Sequence, residues 1–100
     1  MKIYISGPIT GQTNYLERFA AAEDLLRQCG YEVINPAAIL AELPKGTSHE
    51  VYMEKSLELL SACEGIYMLE RWEKSTGASL EFDFAKNNKL TIAFEQRSSL

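Results

Sequence analysis

The chain has 100 residues, with 10 lysines and arginines, 14 aspartates and glutamates and one histidine, which gives a formal net charge of −4. This length allows a single domain, residues 1–100, and 46% hydrophobic residues are enough to fill its core without disulfides or a structural metal. A long nucleic acid is excluded as a partner, because such binding needs clustered lysines and arginines. One small anionic ligand held in a pocket is compatible with this charge.

Membrane and secreted proteins are also disfavoured by the sequence. No apolar run approaches the ~18 residues of a membrane span, and the apolar residues 3–5 are too few for a signal peptide. Cys29 and Cys63 lie near the ends of two predicted helices without Cys-x-x-Cys spacing, so we interpret them as buried free thiols. We therefore expect a cytoplasmic protein.

The first strand is followed by a glycine-containing loop and a long helix. Residues 2–6 are rich in β-forming side chains, and Asn14 begins a helix that Gly30 ends, with Glu17 completing a capping box. Helical spacing predicts a core face made of Leu16, Phe19, Ala20, Leu26 and Cys29.

A second strand and a second long helix follow. Residues 31–34 form the strand, residues 37–45 allow one weak helical turn, and Thr47 with Glu50 makes a capping box for the helix. This helix ends near residues 64–65, and its predicted core face consists of Met53, Leu57, Leu60 and Cys63.

The remaining chain contains a third strand, a helix and a fourth strand. Residues 66–69 form a continuous apolar run, as expected of a strand covered on both faces. A polar turn over residues 70–76 leads to a helix over residues 77–88, and residues 90–94 form the fourth strand before a polar tail. The core positions predicted for this helix are Ala78, Phe82 and Ala85.

This alternation of strands and helices predicts an α/β fold with three layers. Its centre is a Rossmann-like or flavodoxin-like parallel sheet of about four strands, in the order 2-1-3-4, with helices on both faces. In such a sheet, ligands bind at the carboxyl ends of the strands where the strand order reverses. The loops expected there are residues 6–11 and 70–77, with residues 35–36 beside them.

Several common site types are absent from the sequence. Gly7 and Gly11 are four residues apart and match neither the dinucleotide pattern GxGxxG nor the phosphate loop GxxxxGK[ST]. His49 and Glu50 begin like a zinc-protease motif, but Met53 stands in place of the second histidine, and no GxSxG elbow offers a serine nucleophile. We predict no metal site and no cofactor.

Carboxylate chemistry remains as a possibility, because four acidic residues follow the third strand: Glu70, Glu73, Glu81 and Asp83. A solvated surface explains most clusters of this kind. Glu81 stands apart because Ser75 is a suitable N-cap, and Gly77 lets a ligand approach the first amides of the helix. Such a helix start attracts an anion, and a carboxylate one turn later can reach a sugar carbon held there.

Two motifs of the chain resemble the nucleoside 2-deoxyribosyltransferase superfamily. Residues 4–8 (YISGP) resemble its first-strand motif, and residues 75–85 (SxGxxxExxxA) resemble its nucleophile helix. Residues 34–37 and 72–81 are more closely similar to a family of small uncharacterised phage and prophage proteins in the same superfamily. The resemblance covers nearly the whole chain.

The resemblance implies cleavage of the N-glycosidic bond of a 2′-deoxynucleoside or its 5′-monophosphate, or transfer of the deoxyribosyl group to a second base. It assigns Glu81 as the covalent nucleophile and Tyr4 as the residue that orients it by a hydrogen bond. An aromatic side chain in a buried strand is also a common core residue, so a purely structural role for Tyr4 stays open. The loop expected to cover the sugar and base consists of Gly7, Pro8 and Ile9.

Further substrate contacts follow from the same resemblance. Ser75 stands where nucleoside transferases carry an aspartate and where monophosphate N-glycosidases carry a phosphate-binding serine, which favours a nucleotide held beside Gly77. Ser56 replaces an aspartate and Thr10 replaces an arginine of the superfamily pattern. These replacements favour the alternative of a catalytically degenerate nucleotide-binding or protein-interaction module. Trp72 is either a base-stacking platform or a cap over the end of the sheet.

Members of the superfamily generally complete their sites across a subunit interface. The resemblance therefore implies a homodimer or a larger homo-oligomer. The expected ligand is a small deoxynucleoside or deoxynucleotide, and neither a membrane nor a long nucleic acid is expected as a partner. A structural or assembly protein of a phage is a third possibility, but no motif of this sequence supports it.

Overall fold

The structure is a computed structural model that describes residues 1–9 and 11–95. In chain order, its helices and strands are β1 (Lys2–Ser6), α1 (Tyr15–Gln28), β2 (Glu32–Ile34), α2 (Pro36–Leu40), α3 (His49–Ser61), β3 (Gly65–Met68), a single 3-10 turn (Trp72–Lys74), α4 (Thr76–Asn87) and β4 (Thr91–Phe94). The four strands form a parallel sheet in the order β2-β1-β3-β4, which confirms the predicted fold class and strand order. The predicted polar tail lies outside the described residues from position 96 onward.

Helices cover both faces of the sheet. Since successive side chains of a strand point to opposite faces, the core is divided into two clusters. The cluster on the side of α1 and α2 contains Ile3, Ile5, Phe19, Ala22, Leu26, Val33, Ala37, Tyr67 and Leu69. The cluster on the side of α3 and α4 contains Tyr4, Leu60, Cys63, Ile66, Met68, Ala78 and Ala85. Tyr4 therefore points toward α4, away from α1.

The strand order reverses between β1 and β3, which are hydrogen-bonded neighbours. Ser6 pairs with Met68 at the carboxyl ends of these strands, and Gly7 follows directly. A Cβ atom at position 7 would lie 2.8 Å from the Cβ of Leu69, which is too close for two carbon atoms. Glycine thus lets the loop after β1 pack against the residue that follows β3.

Both predicted capping boxes are wrong. Asn14 precedes α1, but its side chain makes no capping hydrogen bond. Helix α3 is capped by Ser48, whose Oγ accepts from the Val51 amide at 3.3 Å, while the Thr47 hydroxyl donates to the carbonyl of Pro44. A cap depends on the backbone conformation at the helix start, and residue type with spacing does not determine that conformation.

The buried face of α1 differs from the predicted one. Phe19 and Leu26 are buried as predicted, and they align with Ala22 in a narrow stripe at helical spacing. The predicted core positions that the structure exposes are Leu16, Ala20 and Cys29. Leu16 and Ala20 lie to one side of the stripe, and Cys29 is the C-cap where the helix ends. The interpretation as a buried free thiol is therefore correct for Cys63 and wrong for Cys29.

Helix α2 is the weak helical turn that the sequence predicts between the second strand and the second long helix, and it begins one residue earlier than expected. The Asn35 side chain accepts a hydrogen bond from the Ala38 amide at 3.3 Å and donates one to Glu23 at 3.1 Å. Asn35 thereby ties α2 to α1. None of the helices in residues 1–9 and 11–95 is long and apolar enough to cross a membrane.

Candidate active site

A cavity of about 890 Å³ opens at the carboxyl ends of β1 and β3, where the strand order reverses. This is the position at which open parallel sheets bind ligands. Its wall includes nearly all of the site residues predicted from the sequence: Tyr4, Gly7, Pro8, Ile9, Ser56, Ser75, Gly77 and Glu81. Thr10 lies outside the described residues.

Glu81 lies on the face of α4 that is turned toward β1, and its side chain is only 6% exposed. Both of its carboxylate oxygens accept a hydrogen bond from a hydroxyl group of β1. The Tyr4 phenol donates to Oε2, and the Ser6 hydroxyl donates to Oε1 at 2.7 Å. The carboxylate is therefore held in one orientation at the wall of the cavity.

The two hydroxyls reach the same carboxylate because of strand geometry. Tyr4 and Ser6 are two residues apart in β1, so their side chains leave the same face of the sheet. The motif comparison pointed to Tyr4 but not to Ser6. The period-two alternation of β1 would have identified Ser6 once Tyr4 was placed in the site.

The electrostatics of Glu81 reflect a balance between burial and hydrogen bonding. Burial raises its pKa from 4.5 to about 6, while the hydrogen bonds from Tyr4 and Ser6 favour the charged form and limit the rise. Burial and the neighbouring carboxylate raise the pKa of Tyr4 well above its ordinary value. At neutral pH the site thus combines an ionised carboxylate with a protonated phenol donor.

Ser56 is buried on α3 and lies within hydrogen-bonding reach of the Tyr4 phenol. Among the described residues of the cavity wall, Glu81 is the one carboxylate. Two of the other acidic residues after β3, Glu73 and Asp83, are exposed to solvent. No three metal-ligating acidic, histidine or cysteine side chains come together in the part of the chain that the structure describes.

The start of α4 borders the same cavity. Ser75 is the N-cap, and its Oγ accepts a hydrogen bond from the Ala78 amide at 3.2 Å, which leaves the hydroxyl hydrogen available as a donor. Gly77 also lines the cavity, and a Cβ at that position would lie 3.3 Å from the sulfur of Met53. The helix start is therefore closely packed on one side and open to a ligand on the other.

Three side chains with basic nitrogen groups line the cavity but were not assigned to the site from the sequence: His49, Arg71 and Lys74. Arg71 and Lys74 flank the 3-10 turn that precedes α4, and neither forms an ion pair with a residue in 1–9 or 11–95. Arg71 has a left-handed backbone, with φ of 68°, which is uncommon for a residue other than glycine. No motif of the sequence marks this turn as basic.

Trp72 is not part of the cavity wall. Its ring stacks on Phe82 with 4.5 Å between centroids and lies 6.2 Å from the ring of Phe94. This packing joins Trp72 to α4 and β4, and its two predicted roles, as a base-stacking platform or as a cap over the end of the sheet, stay predictions.

A family model described as "Domain of unknown function (DUF4406)" matches residues 1–94. The chain belongs to this family. The DUF4406 chain also superposes on a solved structure of 2-deoxyribosyltransferase from the psychrotolerant bacterium Bacillus psychrosaccharolyticus. That match has a TM-score of 0.75 and 19% sequence identity and covers 94% of this chain and 71% of the other. The similarity is one of fold. No curated protein sequence matches the chain significantly.

Proposed function

We propose that this DUF4406 protein cleaves the N-glycosidic bond of a 2′-deoxynucleoside or its 5′-monophosphate, with Glu81 as the covalent nucleophile. The observation that carries the proposal is a buried carboxylate in the wall of a large cavity, held at both oxygens by hydroxyl donors. Glycosyl-transferring carboxylates need this combination of a fixed orientation and a retained negative charge.

The proposed reaction has two displacement steps. A Glu81 oxygen attacks the anomeric carbon as the bond from that carbon to the base nitrogen breaks, and the base leaves with the bonding electrons and takes up a proton. The product is a glycosyl ester of Glu81. Water or a second base then attacks the same carbon, loses a proton and releases the carboxylate, so that the sugar is hydrolysed or transferred with net retention.

A 5′-monophosphate is the substrate that the rim of the cavity favours. Ser75 retains a free hydroxyl hydrogen beside the start of α4, and Arg71 and Lys74 place two cations without ion-pair partners among the described residues at the same rim. A phosphate dianion bound there gains charge-assisted hydrogen bonds, whereas an uncharged nucleoside gains none. These local cations explain how a chain of net charge −4 would hold an anion.

Base release measures the proposed function directly. A panel of purine and pyrimidine deoxynucleosides and their 5′-monophosphates is incubated with the protein, and free base is quantified by chromatography. We expect release by the wild type and its loss in Glu81→Ala. Glu73→Gln, which removes an exposed carboxylate outside the cavity, is the matched control and retains activity. A wild type that cleaves no member of the panel refutes the proposal.

The phosphate preference is tested by a charge-removing double variant, Arg71→Met with Lys74→Met. We expect kcat/KM for the preferred monophosphate to fall about tenfold or more, while kcat/KM for the matching nucleoside changes little. An equal loss for both substrates would mean that these side chains do not recognise phosphate.

Ser56 supports a second candidate function, a module that binds a nucleotide without cleaving it. The resemblance places an aspartate at this position, and Ser56 has a hydroxyl in its place, which cannot carry a proton as a carboxylate does. Calorimetry with deoxynucleoside monophosphates, followed by recovery of the ligand, separates the two candidates. Tight binding with intact ligand supports the binding module, and slow base release that depends on Glu81 refutes it.

A further inference from the structure

We propose that Ser6 is a positioning residue that orients the Glu81 carboxylate and keeps it ionised for attack, an inference that rests on the proposed function. Neither the sequence motifs nor the family resemblance assigns a role to this side chain. The inference is carried by its contact with the reacting group.

Ser6 is held rigidly at the end of β1. Its backbone pairs with Met68 of β3, and its carbonyl accepts a hydrogen bond from the Leu69 amide at 2.8 Å. The residue is only 1% exposed, so its hydroxyl is removed from bulk water. Burying a hydroxyl in this way destabilises the fold unless the hydroxyl is hydrogen-bonded. The bond from Ser6 to Glu81 supplies that hydrogen bond.

The Ser6 bond supplies what the Tyr4 bond does not. With the phenol donating to Oε2 alone, the carboxylate would still be free to turn about its last torsion, which has a broad energy minimum. The second donor on Oε1 removes that freedom and stabilises the negative charge on the other oxygen.

Loss of the Ser6 hydroxyl therefore has two expected effects. The charged form of Glu81 becomes less favourable, so a larger fraction of the nucleophile is protonated at neutral pH. The remaining carboxylate is less well oriented for attack. Both effects lower the rate of the chemical step more than they weaken substrate binding.

Other titratable groups share the cavity with Glu81, and the experiment has to separate them. They come from β1, α1, α3 and the 3-10 turn before α4: Tyr4, Tyr15, His49, Tyr52, Arg71 and Lys74. Of these, His49 carries the imidazole, and it is the one histidine of the sequence. The measurements are therefore repeated in a His49→Gln background.

The test is the pH profile of base release from the best substrate. In Ser6→Ala, we expect the acidic limb of kcat/KM to move about one pH unit toward alkaline values. At pH 6.5, the smaller ionised fraction alone lowers kcat about threefold, and the poorer orientation lowers it further, while KM changes less than twofold. Ser6→Thr, which retains the hydroxyl, restores the profile, and the matched control Ser79→Ala, on α4 outside the cavity wall, leaves it unchanged.

The outcomes distinguish the two proposals. A wild type that releases no base refutes the proposed function, and the role of Ser6 in attack fails with it. Base release by the wild type with an unchanged profile in Ser6→Ala refutes the role of Ser6 and leaves the function intact. A loss of kcat without any movement of the acidic limb also refutes the claim that Ser6 keeps the carboxylate ionised.

A second measurement covers the case in which Ser6→Ala does not fold. Ser6→Cys fills the space of the side chain with a slightly larger group and replaces the hydroxyl with a weaker donor. The Glu81 carboxyl carbon is followed by NMR in the wild type and in this variant as the pH is changed. We expect its titration midpoint to rise in Ser6→Cys, and an unchanged midpoint overturns the inference.

Discussion

Glu81→Gln tests whether the buried carboxylate destabilises the fold at neutral pH. Burial raises the pKa of Glu81 from 4.5 to about 6, so the folded state binds this proton more tightly than the unfolded chain. Protonation of Glu81 therefore stabilises the folded state. This stabilisation is fully present below pH 4.5 and is lost as the pH rises through about 6. The difference between the two pKa values corresponds to about 2 kcal/mol.

Urea unfolding followed by circular dichroism measures this effect in the wild type and in Glu81→Gln at pH 4 and pH 7.5. The amide carries no charge, so we expect the stability of the variant relative to the wild type to be about 2 kcal/mol higher at pH 7.5 than at pH 4. Other titrating groups cancel in this comparison. Among them is Glu23, whose pKa is lowered by the Asn35 hydrogen bond and then by Arg27.

The control for this prediction is Glu73→Gln, which removes an exposed carboxylate from the turn before α4. We expect no pH-dependent difference between this variant and the wild type. If the stability of Glu81→Gln relative to the wild type is also the same at both pH values, burial does not raise the pKa of Glu81, and the prediction is wrong.

Three further substitutions test the packing around the site. Gly7→Ala places a methyl group 2.8 Å from the Cβ of Leu69, and we expect a loss of about 1–3 kcal/mol in urea unfolding; wild-type stability would refute the close approach. Trp72→Ala should cost about 3 kcal/mol without changing KM for base release, and a raised KM would place the indole on the substrate instead. Asn35→Ala removes the cap of α2, and we expect a loss of about 1 kcal/mol in stability and a lower thermal midpoint. An unchanged midpoint would mean that the cap contributes nothing to stability.

The sequence was sufficient to predict the sheet and the place of the site. Strands and helices alternate regularly, and a parallel sheet in the order 2-1-3-4 has a single point of strand reversal. This predicts a binding site beside the loops that follow the first and third strands, where the cavity lies. Glu81 was distinguished from the neighbouring acidic residues by its distance from a helix start. In the structure, Glu81 is buried while Glu73 and Asp83 are exposed.

The features that the sequence did not predict depend on three-dimensional neighbours. Whether Asn14 or Thr47 caps a helix depends on backbone angles that neighbouring contacts determine, and Cys29 is exposed because α1 ends where it leaves the sheet. Ser6 lies in the YISGP motif, but the motif assigns it no role, because a serine at the end of a strand has many uses. Its importance appears only when Glu81, 75 positions further along the chain, is placed opposite it.

The separation of these residues along the chain has a consequence for folding. The two hydrogen bonds to Glu81 span 75 and 77 positions, so the carboxylate is oriented only when β1 and α4 have come together. Contacts of such long range form late, after the entropy of closing the loop has been overcome. An incomplete chain during synthesis, or a partly unfolded one, therefore has no oriented carboxylate. The oriented carboxylate therefore appears in the same step as the native fold.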